Sequence, residues 1–247
     1  MKIGIMGAMP EEVEVIQELM TDISETTYGG RVYIIGKINT VEVVLVFSRW
    51  GKVASATTIT TLINEFKIKQ LIFVGVAGAV NPELNIGDIV ISEKLYQHDM
   101  DPSPILPKYE IPLTGVTFFY ADPVLVTEAK AVCEEILAKV TTMIPFESLT
   151  KFKISKPKCY IGTIGSGDKF ITSSKQFAEI LIDKPETMAV EMEGAAVAQV
   201  CHDYAIPFVI IRTISDKANH EAHIDFPAFI AEIAKHYSKY IVQHLIK

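Results

Sequence analysis

Between Gln70 and Val76 the chain reads Gln-Leu-Ile-Phe-Val-Gly-Val, an apolar run without the polar alternation of a half-exposed strand. Such a run is satisfied only where both faces of the strand are covered, which calls for helices on either side of a sheet. The flanking sequence supplies them. Further strands are expected over residues 3–8, 31–37, 41–47, 88–93, 158–165, 188–192 and 207–215. Apolar residues at helical spacing occupy 11–20, 53–66, 124–139, 174–183, 194–204 and 226–245, with Pro10 suited to the first helical position. Strands alternating with helices predict an α/β fold: a three-layer α/β/α sandwich around a central mixed, mostly parallel sheet, with residues 1–247 as one domain. The irregular stretch 98–123, with Pro102, Pro104, Pro107, Pro112 and Pro123, reads as a lid or contact surface. The polar stretch 141–158 reads as a loop or insertion.

Charge narrows the function. A net charge of −7 argues against phosphate-backbone binding as the main task, which needs clustered Lys and Arg. Arginine is scarce: Arg31, Arg49 and Arg212. Cys133, Cys159 and Cys201 are widely spaced in apolar stretches and read as reduced core thiols. No apolar run approaches the ~20 residues that span a bilayer. The start of the chain turns acidic at Glu11, Glu12 and Glu14, unlike a secretory signal, so a cytoplasmic location is expected.

In open α/β sheets, ligands sit beyond the carboxyl ends of the strands. Here those ends carry Met9-Pro10-Glu11-Glu12, Val76-Ala77-Gly78, Ser166-Gly167-Asp168-Lys169-Phe170-Ile171, Glu191-Met192-Glu193 and Ser215-Asp216. Each acid alone could be a helix cap or a solvated turn, but their joint placement at strand ends points to a shared site. A carboxylate accepts hydrogen bonds in pairs, which suits the vicinal hydroxyls of a ribose. A carboxyl with a tuned pKa can serve as general acid or base. Glu12, in a helix first turn, suits a base that activates water, and Asp216 could hand a proton to a leaving heterocycle.

An ordered set of motifs then matches a family. Met1-Lys-Ile-Gly-Ile-Met-Gly-Ala-Met9, Glu12-Val13, Gly51-Lys52-Val53, Gly75-Val-Ala-Gly78, Gly87-Asp88-Ile89, Ser166-Gly167-Asp168, Val190-Glu191-Met192-Glu193-Gly194-Ala195 and Ile214-Ser215-Asp216 closely resemble the bacterial 5'-methylthioadenosine/S-adenosylhomocysteine nucleosidases of the purine nucleoside phosphorylase superfamily. The resemblance runs from residue 1 to about residue 230. It implies hydrolysis of an N-glycosidic bond through an oxocarbenium-like transition state, without metal or cofactor. It implies that Glu12 activates the attacking water, that Asp216 protonates the purine, and that the adjoining Ser215 is a substrate-binding residue. Glu193 would hold the ribose 2'- and 3'-hydroxyls, with Met192 packed near the sugar. Phe170 would stack on adenine, Ile171 would bond it through its backbone, and Ala77 and Gly78 would form the turn beneath the nucleoside. Arg212 and Glu191 would organise the water region, and Met9, Phe226 and Trp50 would line the 5'-alkylthio pocket. A homodimer is implied, with 98–123 helping to close the partner's pocket.

The chain departs from that pattern at Trp50, where a smaller aliphatic is common, and at Arg49, which has no assigned role. Val76 replaces a serine of some members. Phosphorolysis would need a phosphate held by Arg or Lys, whereas the corresponding places hold Glu11, Glu12 and Phe73. The alternatives are a phosphate-dependent nucleoside phosphorylase, an aminodeoxyfutalosine nucleosidase, and a non-enzymatic nucleoside sensor. The stretch His220-Glu-Ala-His223 is one residue too short for a zinc helix motif, and Gly162–Gly167 lacks the Gly-Lys-Ser/Thr of a phosphate loop.

Overall fold

The computed structural model describes residues 1–171, 173–217 and 225–247. In chain order the elements are β1 (Lys2–Gly7), α1 (Pro10–Gln17), β2 (Thr21–Tyr28), β3 (Arg31–Ile38), β4 (Val41–Phe47), α2 (Lys52–Asn64), β5 (Gln70–Ala79), β6 (Ile89–Gln97), β7 (Phe119–Tyr120) and α3 (Pro123–Ala138). There follow α4 (Val140–Met143), α5 (Phe146–Lys151), β8 (Cys159–Ser166), α6 (Ser174–Asp183), β9 (Thr187–Glu191), α7 (Gly194–Asp203), β10 (Phe208–Lys217), α8 (Phe226–Phe229) and α9 (Lys235–Leu245), the last two joined by a π-helical turn at Ile230–Ala234.

The strands form one mixed sheet ordered β10-β6-β8-β9-β5-β1-β4-β3-β2, with β7 on β6. Its central strand is β5, whose Leu71, Ile72, Phe73 and Val74 are buried. β5 pairs in parallel with β1 on one side and with β10 on the other. Because β10 also pairs with β6, and β9 also pairs with the end of β5, the strands β5, β10, β6, β8 and β9 close into a ring. The other half is an open extension, where β2, β3 and β4 run as an antiparallel meander. α1, α3 and α9 pack together as one helical group and α2 and α7 as another.

The α/β architecture is as expected, with four local differences. β2 gave no signal, because Thr21–Tyr28 is a polar, mostly exposed edge strand with no apolar face to reveal it. α1 accordingly stops at Gln17 rather than near residue 20. Residues 141–158 are not a plain loop: α4 and α5 lie there, with Ile144, Leu149, Phe152 and Ile154 buried and Phe152 edge-on to Phe229 at 5.3 Å. Helices this short cannot display a 3.6-residue period. The antiparallel share of the sheet is also larger than expected, through the meander and the β5–β9 and β6–β10 pairings. No described helix is long and apolar enough to cross a membrane.

Candidate active site

Where the ring closes, the strand ends surround a cleft of about 710 Å³, counting the space at its mouth. β1 leads into Met9, and the loop after β4 carries Trp50, whose indole N–H donates to the Ala8 carbonyl at 3.1 Å. β5 supplies Val76, Ala77 and Gly78; the chain after β8 supplies Lys169, Phe170 and Ile171; β9 and its exit supply Val190, Glu191, Met192 and Glu193. β10 supplies Ser215 and Asp216, and α8 supplies Phe226. Phe170 and Phe226 meet edge-to-face at 6.3 Å, and Phe170 keeps 61% of its surface exposed, so an apolar plate stands free at the mouth.

A bulge aims Asp216. The β10–β5 register shifts between Ile214 and Asp216, which leaves Ser215 as the extra residue and sets Asp216 opposite Gly78. Bulges re-aim a side chain in this way beside functional sites. A Cβ at Gly78 would lie 3.1 Å from Asp216 Oδ1, so the absent side chain leaves that carboxyl free space. Burial raises the Asp216 pKa, against a lowering by the Ser215 hydroxyl, which lies 2.8 Å from Oδ2. A carboxyl of this kind keeps its proton more readily than one in water.

Glu193 is nine-tenths or more buried and lines the cleft. Its pKa is raised by burial and then by the neighbouring Glu191, against the Gly51 N–H, which donates to Oε1 at 2.8 Å. Glu191 is bonded on all sides. Arg212 donates to its Oε2 from Nη2 at 2.8 Å and from Nε at 3.2 Å. The Ser166 hydroxyl and the Gly194 N–H also donate to Glu191.

Two expected members do not line the cleft. Arg212 is fully buried; besides Glu191 it meets the Phe73 and Ile211 carbonyls, and its guanidinium lies 4.1 Å from the Phe73 ring centroid. It is therefore a holder of Glu191 and not a substrate contact: a buried guanidinium must spend its donors on fixed partners. Glu12 is also fully buried, behind the wall residues Ala8 and Met9, whose N–H groups each donate to its Oε2 at 3.0 Å. The Ser238 hydroxyl donates to Oε1 at 2.8 Å. Burial outweighs these bonds and the pull of Arg212, and pushes the Glu12 pKa up to about 7. Ala8 and Val190 line the cleft unforeseen; carrying no polar side chain, they leave only their place beside Met9 and Glu191 as a signal. The His220–His223 stretch lies outside the described residues.

Comparison with known proteins follows the same lines. A family model described as the Phosphorylase superfamily matches residues 2–247. The 5'-methylthioadenosine/S-adenosylhomocysteine nucleosidase of Staphylococcus haemolyticus is 39% identical over 246 residues, covering 99% of each chain. The crystal structure of the nucleosidase of the same name from Neisseria meningitidis, in complex with methylthio-immucillin-A, superposes with a TM-score of 0.86 at 31% identity, covering 100% of this chain and 98% of that one. The futalosine hydrolase of Helicobacter pylori superposes with a TM-score of 0.83 at 35% identity, covering 98% of this chain and 96% of that one.

Proposed function

The chain belongs to the phosphorylase superfamily and, within it, to the 5'-methylthioadenosine/S-adenosylhomocysteine nucleosidases, and from that membership we infer that it hydrolyses the N-glycosidic bond of these two nucleosides, and of 5'-deoxyadenosine, releasing adenine and the 5-substituted ribose. The observation that carries the reading is the meeting of Asp216, Glu193 and an exposed Phe170 around one cleft, with Glu12 buried against its wall.

Adenine stacks on Phe170 and meets the backbone of Ile171. Asp216, whose pKa burial raises, gives a proton to the purine ring, so that adenine leaves neutral. Glu193 accepts the ribose hydroxyls and stands near the positive charge that grows on the sugar as the bond breaks. Glu12, with a pKa near neutrality, takes the proton of the attacking water. Met9, Trp50 and Phe226 offer apolar surface to the 5'-thioalkyl group, and Met192 packs on the sugar.

Release of adenine from 5'-methylthioadenosine in phosphate-free buffer tests the reading. Turnover is expected without phosphate, and strict dependence on added phosphate would assign the chain to the phosphorylases instead. A second reading, hydrolysis of a futalosine-type nucleoside, draws support from the similarity to the Helicobacter pylori enzyme. Comparing kcat/KM for 5'-methylthioadenosine, S-adenosylhomocysteine, 5'-deoxyadenosine and aminodeoxyfutalosine separates the two. The homodimer is part of the proposal and is supported by Ile105 and Leu113, which stand 87% and 94% exposed in the 98–123 stretch. A cytoplasmic site of action is likewise proposed, in keeping with three free cysteines.

A further inference from the structure

Beside the cleft, three residues from separate elements bond one another in a closed triangle that the chemistry above leaves unused. Lys52 opens α2, Asp99 follows β6 and Asp168 follows β8. The Lys52 N–H donates to Asp168 Oδ1 at 2.8 Å, the Asp168 N–H donates to Asp99 Oδ2 at 2.9 Å, and Lys52 Nζ donates to Asp99 Oδ1 at 2.6 Å. Lys52 Nζ also donates to Gln97 Oε1 at 3.0 Å, and Gln97 in turn donates to Gln199 of α7 at 2.8 Å. Each corner bonds the other two. The Lys52 and Asp99 side chains are only 16% and 24% exposed, which sets this ion pair apart from a surface pair of little consequence.

The triangle adjoins residue 51. The Gly51 N–H, immediately before the Lys52 corner, donates to Glu193 Oε1 at 2.8 Å. Its backbone has φ +89°, a conformation natural to glycine, and a Cβ there would lie 3.1 Å from Asp168 Oδ1. A Met192 backbone N–H also supports the Glu193 carboxylate, but it comes from the adjoining residue and moves with it. Gly51 is the donor that reaches Glu193 from another element.

We propose that Lys52, Asp99 and Asp168 are positioning residues for the sugar: by pinning the Gly51 N–H on one oxygen of Glu193 they set the carboxylate's rotation and leave its remaining acceptors aimed at the ribose hydroxyls. The proposal rests on the nucleosidase reading above. Misplacing a binding group by about 1 Å costs up to ~10²-fold in rate, so a clamp of this kind carries a measurable share of catalysis. A triangle that merely stapled α2 to the sheet would affect all substrates alike.

The test uses the full chain with Lys52→Met and, separately, the near-isosteric Asp99→Asn. For each, kcat/KM is measured on 5'-methylthioadenosine and on its 2'-deoxy analogue, with thermal melting alongside. The intrinsic lability of the deoxy sugar cancels when each variant is compared with its parent. For the ribose substrate, kcat/KM is expected to fall about 10-fold, mostly through KM, and the preference for ribose over 2'-deoxyribose to shrink by about 3-fold or more. Lys52→Arg, which keeps the charge and the donors, should restore part of the preference. An unchanged preference in variants that remain active overturns the clamp, whether or not both rates drop together. If Lys52→Met does not fold, the Asp99→Asn arm decides. A parent enzyme that releases no adenine from 5'-methylthioadenosine overturns the nucleosidase reading, and this inference with it, which is a different result from an active enzyme with an unaltered ribose preference.

Discussion

Glu191 and Glu193 leave the same strand end and have opposite surroundings. Glu191 receives Arg212 twice, the Ser166 hydroxyl and the Gly194 N–H, so its acceptors are filled by the protein. Glu193 receives the Gly51 N–H, faces the cleft, and has its pKa raised by burial and by Glu191. The difference teaches how to sort buried acids. One whose lone pairs are all taken belongs to the frame, because a ligand could bind it only by breaking bonds already made. One with acceptors to spare and a wall to face is held for a ligand.

The largest effect should come from breaking the saturated acid's partner. Arg212→Met leaves Glu191 buried without its countercharge and should cost about 3–5 kcal/mol of stability by chemical denaturation, whereas Glu193→Gln should leave stability nearly unchanged while raising KM. Comparable losses in the two variants would erase the distinction between frame and site.

Next in size are the proposed proton carriers. Glu12→Gln and Asp216→Asn should each lower kcat by about 10²-fold or more in a folded enzyme. Near-normal turnover in either would remove that residue from the mechanism and move it to the frame beside Glu191.

The smallest effect concerns pH. Glu12 has a folded pKa near 7, above its unfolded value of 4.5, so the folded state binds the extra proton. Stability therefore declines as pH rises from about 4.5 to about 7 and is level beyond; a shift of this size bounds the loss at about 3 kcal/mol. Glu12→Gln escapes that loss but accepts the Ala8 and Met9 N–H groups less strongly, for a net gain of about 1–2 kcal/mol at pH 8 and none at pH 5. Melting curves at the two pH values check this. In the parent enzyme kcat/KM should rise with pH through an apparent pKa near 7, as Glu12 loses its proton. A gain in the variant that is equal at both pH values would place the titration elsewhere.

Much of the arrangement was legible in the chain. The Gln70–Val76 run announced a strand covered on both faces, and β5 is the central strand. Asp216, Glu193, Phe170 and Gly78 were foreseen on one sheet edge, and they line one cleft. The same reasoning could not see β2, whose polar residues carry no burial pattern, nor α4 and α5, too short to repeat. It assigned Arg212 to the water region together with Glu191, but position along β10 does not reveal that the guanidinium is fully buried and bonds Glu191 over the Phe73 ring.

Local pattern alone thus determined the alternation of strands and helices, the chemical types at the strand ends and the family to which the chain belongs, because periodicity, turn residues and motif order are written in neighbouring positions. Only the tertiary structure decided which acid is saturated and which is open. Arg212 and Ser166 reach Glu191 from strands 21 and 25 residues away in sequence, and Gly51 reaches Glu193 across 142 residues. The closure of β5, β10, β6, β8 and β9 into a ring, with its bulge at Ser215, brings those partners together. Hydrogen bonds act over about 3 Å, and which groups come within that range is a property of the folded ring and not of spacing along the chain.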